Sequence, residues 1–138
     1  MGTTPEARWS STVREGLRAV ACDVEPLENR SVAGTPDLLI GIDDQFVLVE
    51  LKVVTRGRLV GLRPHQVSFA ARHARMMRPT WILVRSIPEA RVLLYAGRHA
   101  VRLQEIGTRL DPVFQCPDGS VDWGAIADTL VVRQFCTL

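Results

Sequence analysis

Three residues in the stretch "GTPDLLIGIDDQFVLVELKV" (residues 34–53) are of types that do chemistry: Asp37, Glu50 and Lys52. The run around them is patterned like the middle of a sheet, where an ionised group is costly unless something pairs it. Three charges in apolar strands either escape to solvent, as a surface Glu–Lys ion pair on an edge strand would, or share a task. Two carboxylates supply hard oxygen ligands, which suit Mg²⁺, an ion that keeps several waters and takes only one or two protein carboxylates beside a phosphate. Such an ion polarises a phosphodiester and lowers the pKa of a bound water, while a nearby ammonium orients that water or stabilises developing charge. Lys52 is also the single lysine among 17 Lys plus Arg. Arginine's planar fork does not replace a compact amine at a reaction centre.

A strand pair is what brings the three together. Residues i and i+2 of a strand point to one face. In "FVLVELKV", Phe46, Leu48, Glu50 and Lys52 therefore share a side, and Val47, Val49, Leu51 and Val53 share the other. Both sides are apolar, so this strand is expected to be central and covered on both faces. Strands over 36–42 and 46–53, joined through "DDQ", make an antiparallel hairpin. Across it the start of the first strand lies beside the end of the second, which brings Asp37 close to Glu50 at one edge of the sheet.

The flanking elements are legible from periodicity and punctuation. Residues 3–21 read as a helix, with Thr3 and Glu6 as a capping box, Pro5 in the first turn, and Trp9, Val13, Leu17 and Val20 at helical spacing. The loop "DVEPLENRSVAG" follows and has room for a short strand. After the Gly- and Arg-rich connection "VTRGRLVGLRPHQ", Pro64 starts a helix to about Met77, with Val67, Ala70, Ala71, Ala74 and Met77 on one side. "TWILVRS" and "RVLLYAG" read as two paired strands joined by "IPEA". Residues 98–121 are mixed and turn-rich, and a last helix starts after Asp122 as N-cap. The order helix, hairpin, helix, strand, strand, helix predicts an α/β domain around a mixed sheet flanked by helices.

Composition narrows the classes. At 138 residues the chain is expected to be one domain. Its apolar fraction of 46% and charged fraction of 23% are those of a folded globular chain. No apolar run approaches the ~18 residues of a membrane span, and "MGTTPEARWSS" lacks the order of a signal peptide. Cys22, Cys116 and Cys136 are widely spaced with no C-x-x-C pair, which argues against a disulfide framework or zinc site and for a reducing cytoplasm. His65, His73 and His99 have no metal-ligand spacing. No Walker loop, nucleotide fingerprint or G-x-S-x-G is present, so no nucleotide cofactor is expected.

Pro36-Asp37, twelve intervening residues, then Glu50-Leu51-Lys52 resembles the PD-(D/E)XK nuclease signature. The string "GTPDLLIG…FVLVELK…GRLVGLRPHQ" is similar to the virus-type replication-repair (VRR-NUC) branch and to related phage and Holliday-junction nucleases. The resemblance covers about residues 6–86, and the extension over 98–138 falls outside it. It implies a restriction-endonuclease-like fold, with Asp37, Glu50 and the Leu51 carbonyl binding the metal and Lys52 positioning the water. It also implies a role near the site for Gln66, and often an acid from the first helix. Glu6 lies in register with Trp9, Val13 and Leu17, whereas Glu15 lies with Ser11 and Arg18 on a solvated face. Glu6 is therefore the better candidate, with its capping-box role as the alternative.

Arg56, Arg58 and Arg63, in the loop after Lys52, are expected to clamp a DNA backbone with salt-dependent, largely sequence-independent affinity. Arg72 and Arg75 read instead as a solvated helix face. The combined expectation is a Mg²⁺-dependent DNA endonuclease, with Mn²⁺ able to substitute. It would act on branched or junction-like DNA as a homodimer, in the cytoplasm of a bacterial or phage-infected cell, in phage-type replication, recombination or repair. The alternatives are a restriction- or nicking-type nuclease and a non-catalytic DNA-binding or assembly module on the same fold.

Overall fold

The computed structural model describes residues 3–27 and 33–131. In chain order the elements are α1 (Pro5–Ala19), β1 (Asp23–Pro26), β2 (Leu38–Ile42), β3 (Gln45–Val54), α2 (Pro64–Arg75), β4 (Thr80–Ser86), β5 (Arg91–Ala96), α3 (Ala100–Ile106), β6 (Phe114–Pro117) and α4 (Trp123–Leu130), with short 3-10 turns around α3 and before α4.

The strands form one sheet in chain order, β1 to β6. All neighbours run antiparallel except β3 and β4, which are parallel because α2 carries the chain back between them. The mixed sheet expected from the sequence is therefore present, and β3 lies inside it. One face packs Val47, Val49, Leu51, Trp81 and Leu83 against Trp9, Val13 and Leu17 of α1 and Ile126 and Leu130 of α4. The other packs Val54, Ile82, Val84 and Leu93 against Ala70 of α2 and Ala100 and Leu103 of α3.

Four expectations shift. Thr4 rather than Thr3 caps α1, its hydroxyl accepting the Ala7 N–H at 3.1 Å. Glu6 then falls second in the helix instead of third, so it does not close the expected capping box. Val20 lies at the C-cap and is exposed, so the buried stripe of α1 ends at Leu17. In α2 the buried residues are Phe69 and Ala70, because the helix stops at Arg75 and Met77 turns into the left-handed region (φ 56°), exposed. On the Phe46 side of β3 cover grows along the strand: Phe46 is 68% exposed, Leu48 half-buried and Glu50 buried.

Residues 98–121 hold α3 and β6, neither of which the turn-rich sequence marked out. Asp122 caps α4 as expected, accepting the Ala125 N–H at 3.0 Å. Cys22 and Cys116 are buried free thiols, both pushed up in pKa by burial. Cys136 and the end of the expected last helix lie outside the described residues. Among those described, no helix is long and apolar enough to cross a membrane.

Candidate active site

The β2–β3 ladder ends at Leu38 opposite Val49. Continued two residues further, the same register sets Asp37 opposite Glu50 and Pro36 opposite Leu51. Proline has no N–H to give the ladder, so regular pairing stops there. In its place the Asp37 carboxylate accepts the Leu51 N–H, Oδ2 to N 2.8 Å. The Leu51 carbonyl points to the same side of the strand as its N–H. Both carboxylate and carbonyl are thus gathered where β2 leaves a gap beside β3. Gly34 fixes how the chain enters this corner: at φ +83° it lies so close to α2 that a Cβ would meet the His65 carbonyl oxygen at 2.1 Å.

Glu50 is only 6% exposed, and its burial is compensated locally. Gln66, in the first turn of α2, donates its Nε2 to Glu50 Oε2 at 2.8 Å, and its Oε1 accepts the Arg63 N–H at 2.9 Å. One side chain therefore holds the buried carboxylate and the entry to the helix together. Lys52 stands 3.9 Å from Glu50 Oε2, a loose pair, while its ammonium donates to the Gly61 carbonyl at 3.0 Å. The ammonium is held chiefly by the loop that follows its own strand. That backbone anchor is one the sequence did not indicate.

Glu6, Ser10, Asp37, Glu50, Leu51, Lys52, Arg63 and Gln66 line one cleft of about 210 Å³. Its walls are the first turns of α1 and α2, and its floor is the β3 edge left open by β2. Glu6 reaches it from α1. Glu15, exposed elsewhere on that helix, does not line it. Ser10 is the addition, legible in retrospect as the i+4 neighbour of Glu6. Asp37, Glu50 and the Leu51 carbonyl are the hard oxygen donors able to hold a divalent cation, with Glu6 as a further acid at the rim. No group of three or more His, Cys, Asp and Glu among the described residues is close enough to hold a metal by itself. Two carboxylates and one carbonyl would suit an ion that takes few protein ligands and keeps most of its water, as Mg²⁺ does.

The three loop arginines divide. Arg63 lines the cleft and Arg56 is exposed, and neither pairs with a carboxylate among the described residues. Arg58 instead bonds Glu89, Nε to Oε2 3.2 Å. Arg72, Arg75 and Arg78 are exposed and Arg72 lies over the Phe69 ring at 5.3 Å. His73 stacks on Phe69 at 4.1 Å, its pKa lowered by burial and by Arg78 and Arg72. His99 is likewise lowered, by burial and Arg98. None of the histidines lines the cleft.

No protein-family model and no curated protein sequence matches the chain. Solved structures do. A VRR_NUC domain superposes with a TM-score of 0.51 at 22% identity, covering 75% of this chain and 97% of the other. Hjc, a Holliday junction resolvase of the archaeal hyperthermophile Archaeoglobus fulgidus, superposes with a TM-score of 0.56 at 15% identity, covering 90% of this chain and 98% of the other. The match to Hjc extends beyond residues 6–86, so part of the C-terminal third also belongs to the shared architecture. The likeness read from Pro36-Asp37 and Glu50-Leu51-Lys52 holds for the fold: this chain shares the α/β architecture of the VRR_NUC domain and of Hjc.

Proposed function

We propose that the protein is a Mg²⁺-dependent endonuclease that hydrolyses phosphodiester bonds in branched or junction-like DNA. The observation carrying this reading is the single cleft in which Asp37, Glu50 and the Leu51 backbone meet Lys52 and Gln66. A buried glutamate, the chain's one lysine and a strand-ending aspartate meet there.

Asp37, Glu50 and the Leu51 carbonyl would hold the cation, which when bound supplies Lewis-acid polarisation and a more acidic water. The chain's own groups do the remaining work. Gln66 fixes the rotamer of Glu50, and Asp37 is fixed by the Leu51 N–H. Lys52, tethered to the Gly61 carbonyl, presents its other protons to a water or to a phosphate oxygen gaining charge. The first turns of α1 and α2 flank the cleft, and their N–H dipoles favour an anion there. From Leu51 to Pro88 the sequence carries no Asp or Glu, so the loop and helix beside the site offer a polyanion no repulsion. Fold likeness to a Holliday junction resolvase supports the branched substrate.

Digestion of supercoiled plasmid, linear duplex and a synthetic four-way junction, each with Mg²⁺ and with EDTA, tests the reading. Mg²⁺-dependent cleavage favouring the junction is expected. Cleavage of duplex and junction alike would point to a restriction- or nicking-type preference, and DNA binding with no cleavage in Mg²⁺ or Mn²⁺ would point to a non-catalytic module.

A further inference from the structure

The loop 55–63 holds Lys52 and is itself held from the C-terminal third of the chain. Val60 and Leu62 are buried in the core beside Ala100 and Leu103 of α3. Between them the chain makes a three-residue turn, the Leu62 N–H donating to the Val60 carbonyl at 2.7 Å. Gly61 is the centre of that turn, and its carbonyl accepts the Lys52 ammonium. On the next residue, the Leu62 carbonyl accepts Gln104 Nε2 of α3 at 3.0 Å.

A second clamp lies at Arg58. Its carbonyl accepts the Thr108 N–H at 2.9 Å, and Gly107 approaches so closely that a Cβ would stand 2.0 Å from that oxygen. The Arg58 guanidinium bonds Glu89, whose Oε2 also accepts the Thr108 hydroxyl at 2.9 Å and whose Oε1 takes two bonds from Arg91. Burial pushes the Glu89 carboxyl up, but hydrogen bonds from Arg91 and Thr108 and the charges of Arg91 and Arg58 outweigh it and hold the group below its usual range. Core burial alone would keep this loop folded. Polar bonds from three separate elements to its backbone and side chain constrain its carbonyls more tightly than packing requires.

We propose that Gln104 and Thr108 are positioning residues for Lys52, acting through the Leu62 carbonyl and the Arg58–Glu89 pair to fix the Gly61 carbonyl that aims the ammonium. The catalytic consequence rests on the nuclease reading, whereas the mechanical one does not. The C-terminal third, on this account, sets the geometry of the reaction centre without touching substrate.

The sole lysine provides a direct probe, because ¹³Cε-lysine labelling gives one side-chain signal in the whole chain. In the wild type that signal should report a restricted side chain. Gln104→Met and Thr108→Val keep volume and remove the side-chain bonding groups, leaving the Thr108 N–H on the Arg58 carbonyl in place, so the double variant should mobilise Lys52 with far-UV and near-UV spectra unchanged. Thr108→Ser keeps the hydroxyl and should leave Lys52 restricted. In cleavage assays the double variant should lose about tenfold or more in kcat, since misplacements near 1 Å cost up to ~10²-fold, with KM within about twofold. A Lys52 signal unchanged in the folded double variant overturns the inference whatever its activity. A mobilised Lys52 together with a wild type that cuts no substrate would keep the clamp and discard the nuclease reading.

Discussion

The Asp37 carboxylate accepts the Leu51 N–H at 2.8 Å at the point where Pro36, opposite Leu51 in register, has no N–H to offer the ladder. Proline and aspartate thus act as one device. The first gives the Leu51 carbonyl no ladder donor and the second takes up the Leu51 N–H, leaving an acidic edge beside a buried glutamate. This separates the structural from the chemical role of Asp37. Asp37→Asn keeps an oxygen for the Leu51 N–H and should abolish cleavage at little cost in stability. Asp37→Ala removes the acceptor and should cost about 1–3 kcal/mol more, the range for an unsatisfied buried donor. Urea denaturation of both variants without metal checks the difference.

Lys52→Arg keeps the charge and changes size, donor geometry and hydration. The Lys52 ammonium lies between Glu50 and the Gly61 carbonyl, and a guanidinium there would present its donors in a fixed plane. Cleavage should fall by at least ~10²-fold, the scale of losing one positioned transition-state stabiliser. DNA binding in Ca²⁺ should stay near wild type. An arginine variant as fast as wild type would reduce the role of Lys52 to simple charge.

The loop arginines should not contribute equally to binding. Arg56 and Arg63 face no carboxylate partner among the described residues, whereas Arg58 is engaged by Glu89. Replacing Arg56 and Arg63 with alanine should lower the slope of log affinity against log salt by about 2, at ~0.9 per phosphate contact. Adding Arg58→Ala should change the slope little further. Salt titrations in Ca²⁺ on junction and duplex measure it, with similar losses expected on both because phosphate contacts carry little specificity.

Tyr95 is the single tyrosine, fully buried, its hydroxyl donating to the Leu110 carbonyl at 2.9 Å. Burial pushes its pKa up to about 12, with Arg91 pulling the other way and Glu89 and Asp111 adding to the rise. The folded pKa is above the unfolded value near 10, so this group's contribution to stability is complete below pH ~10. It is lost as pH rises towards 12, by roughly 2–3 kcal/mol in all. Absorbance titration should show no tyrosinate until well above pH 10 or until the fold opens. Titration near pH 10 with the fold intact would contradict the packing of β5 against residues 107–111.

The central motif was legible because strands alternate: Glu50 and Lys52 had to share a face, and the hairpin had to return Asp37 to them. Trp9, Val13 and Leu17 were legible for the same kind of reason. The cap was misplaced by one residue because Thr3 and Thr4 are chemically alike and only the structure shows which hydroxyl reaches Ala7. Phe46 and Met77 were expected to be covered because apolar spacing does not announce where a helix ends early. Elements α3 and β6 are short, with seven and four residues, too few for periodicity to register. The Lys52 and Gln104 bonds end on the Gly61 and Leu62 backbone carbonyls, which every residue has, and the Thr108 hydroxyl meets Glu89 across nineteen positions, so sequence spacing carries no signal for them.

The most direct test of the account is cleavage of a labelled four-way junction by wild type, Asp37→Asn and Glu50→Gln, each in Mg²⁺ and in EDTA, with binding followed in parallel in Ca²⁺. The account predicts cutting by the wild type in Mg²⁺ alone, no cutting by either variant, and near-normal folding of all three. Cutting that survives EDTA, or a purified Glu50→Gln protein that cuts like wild type, would contradict it.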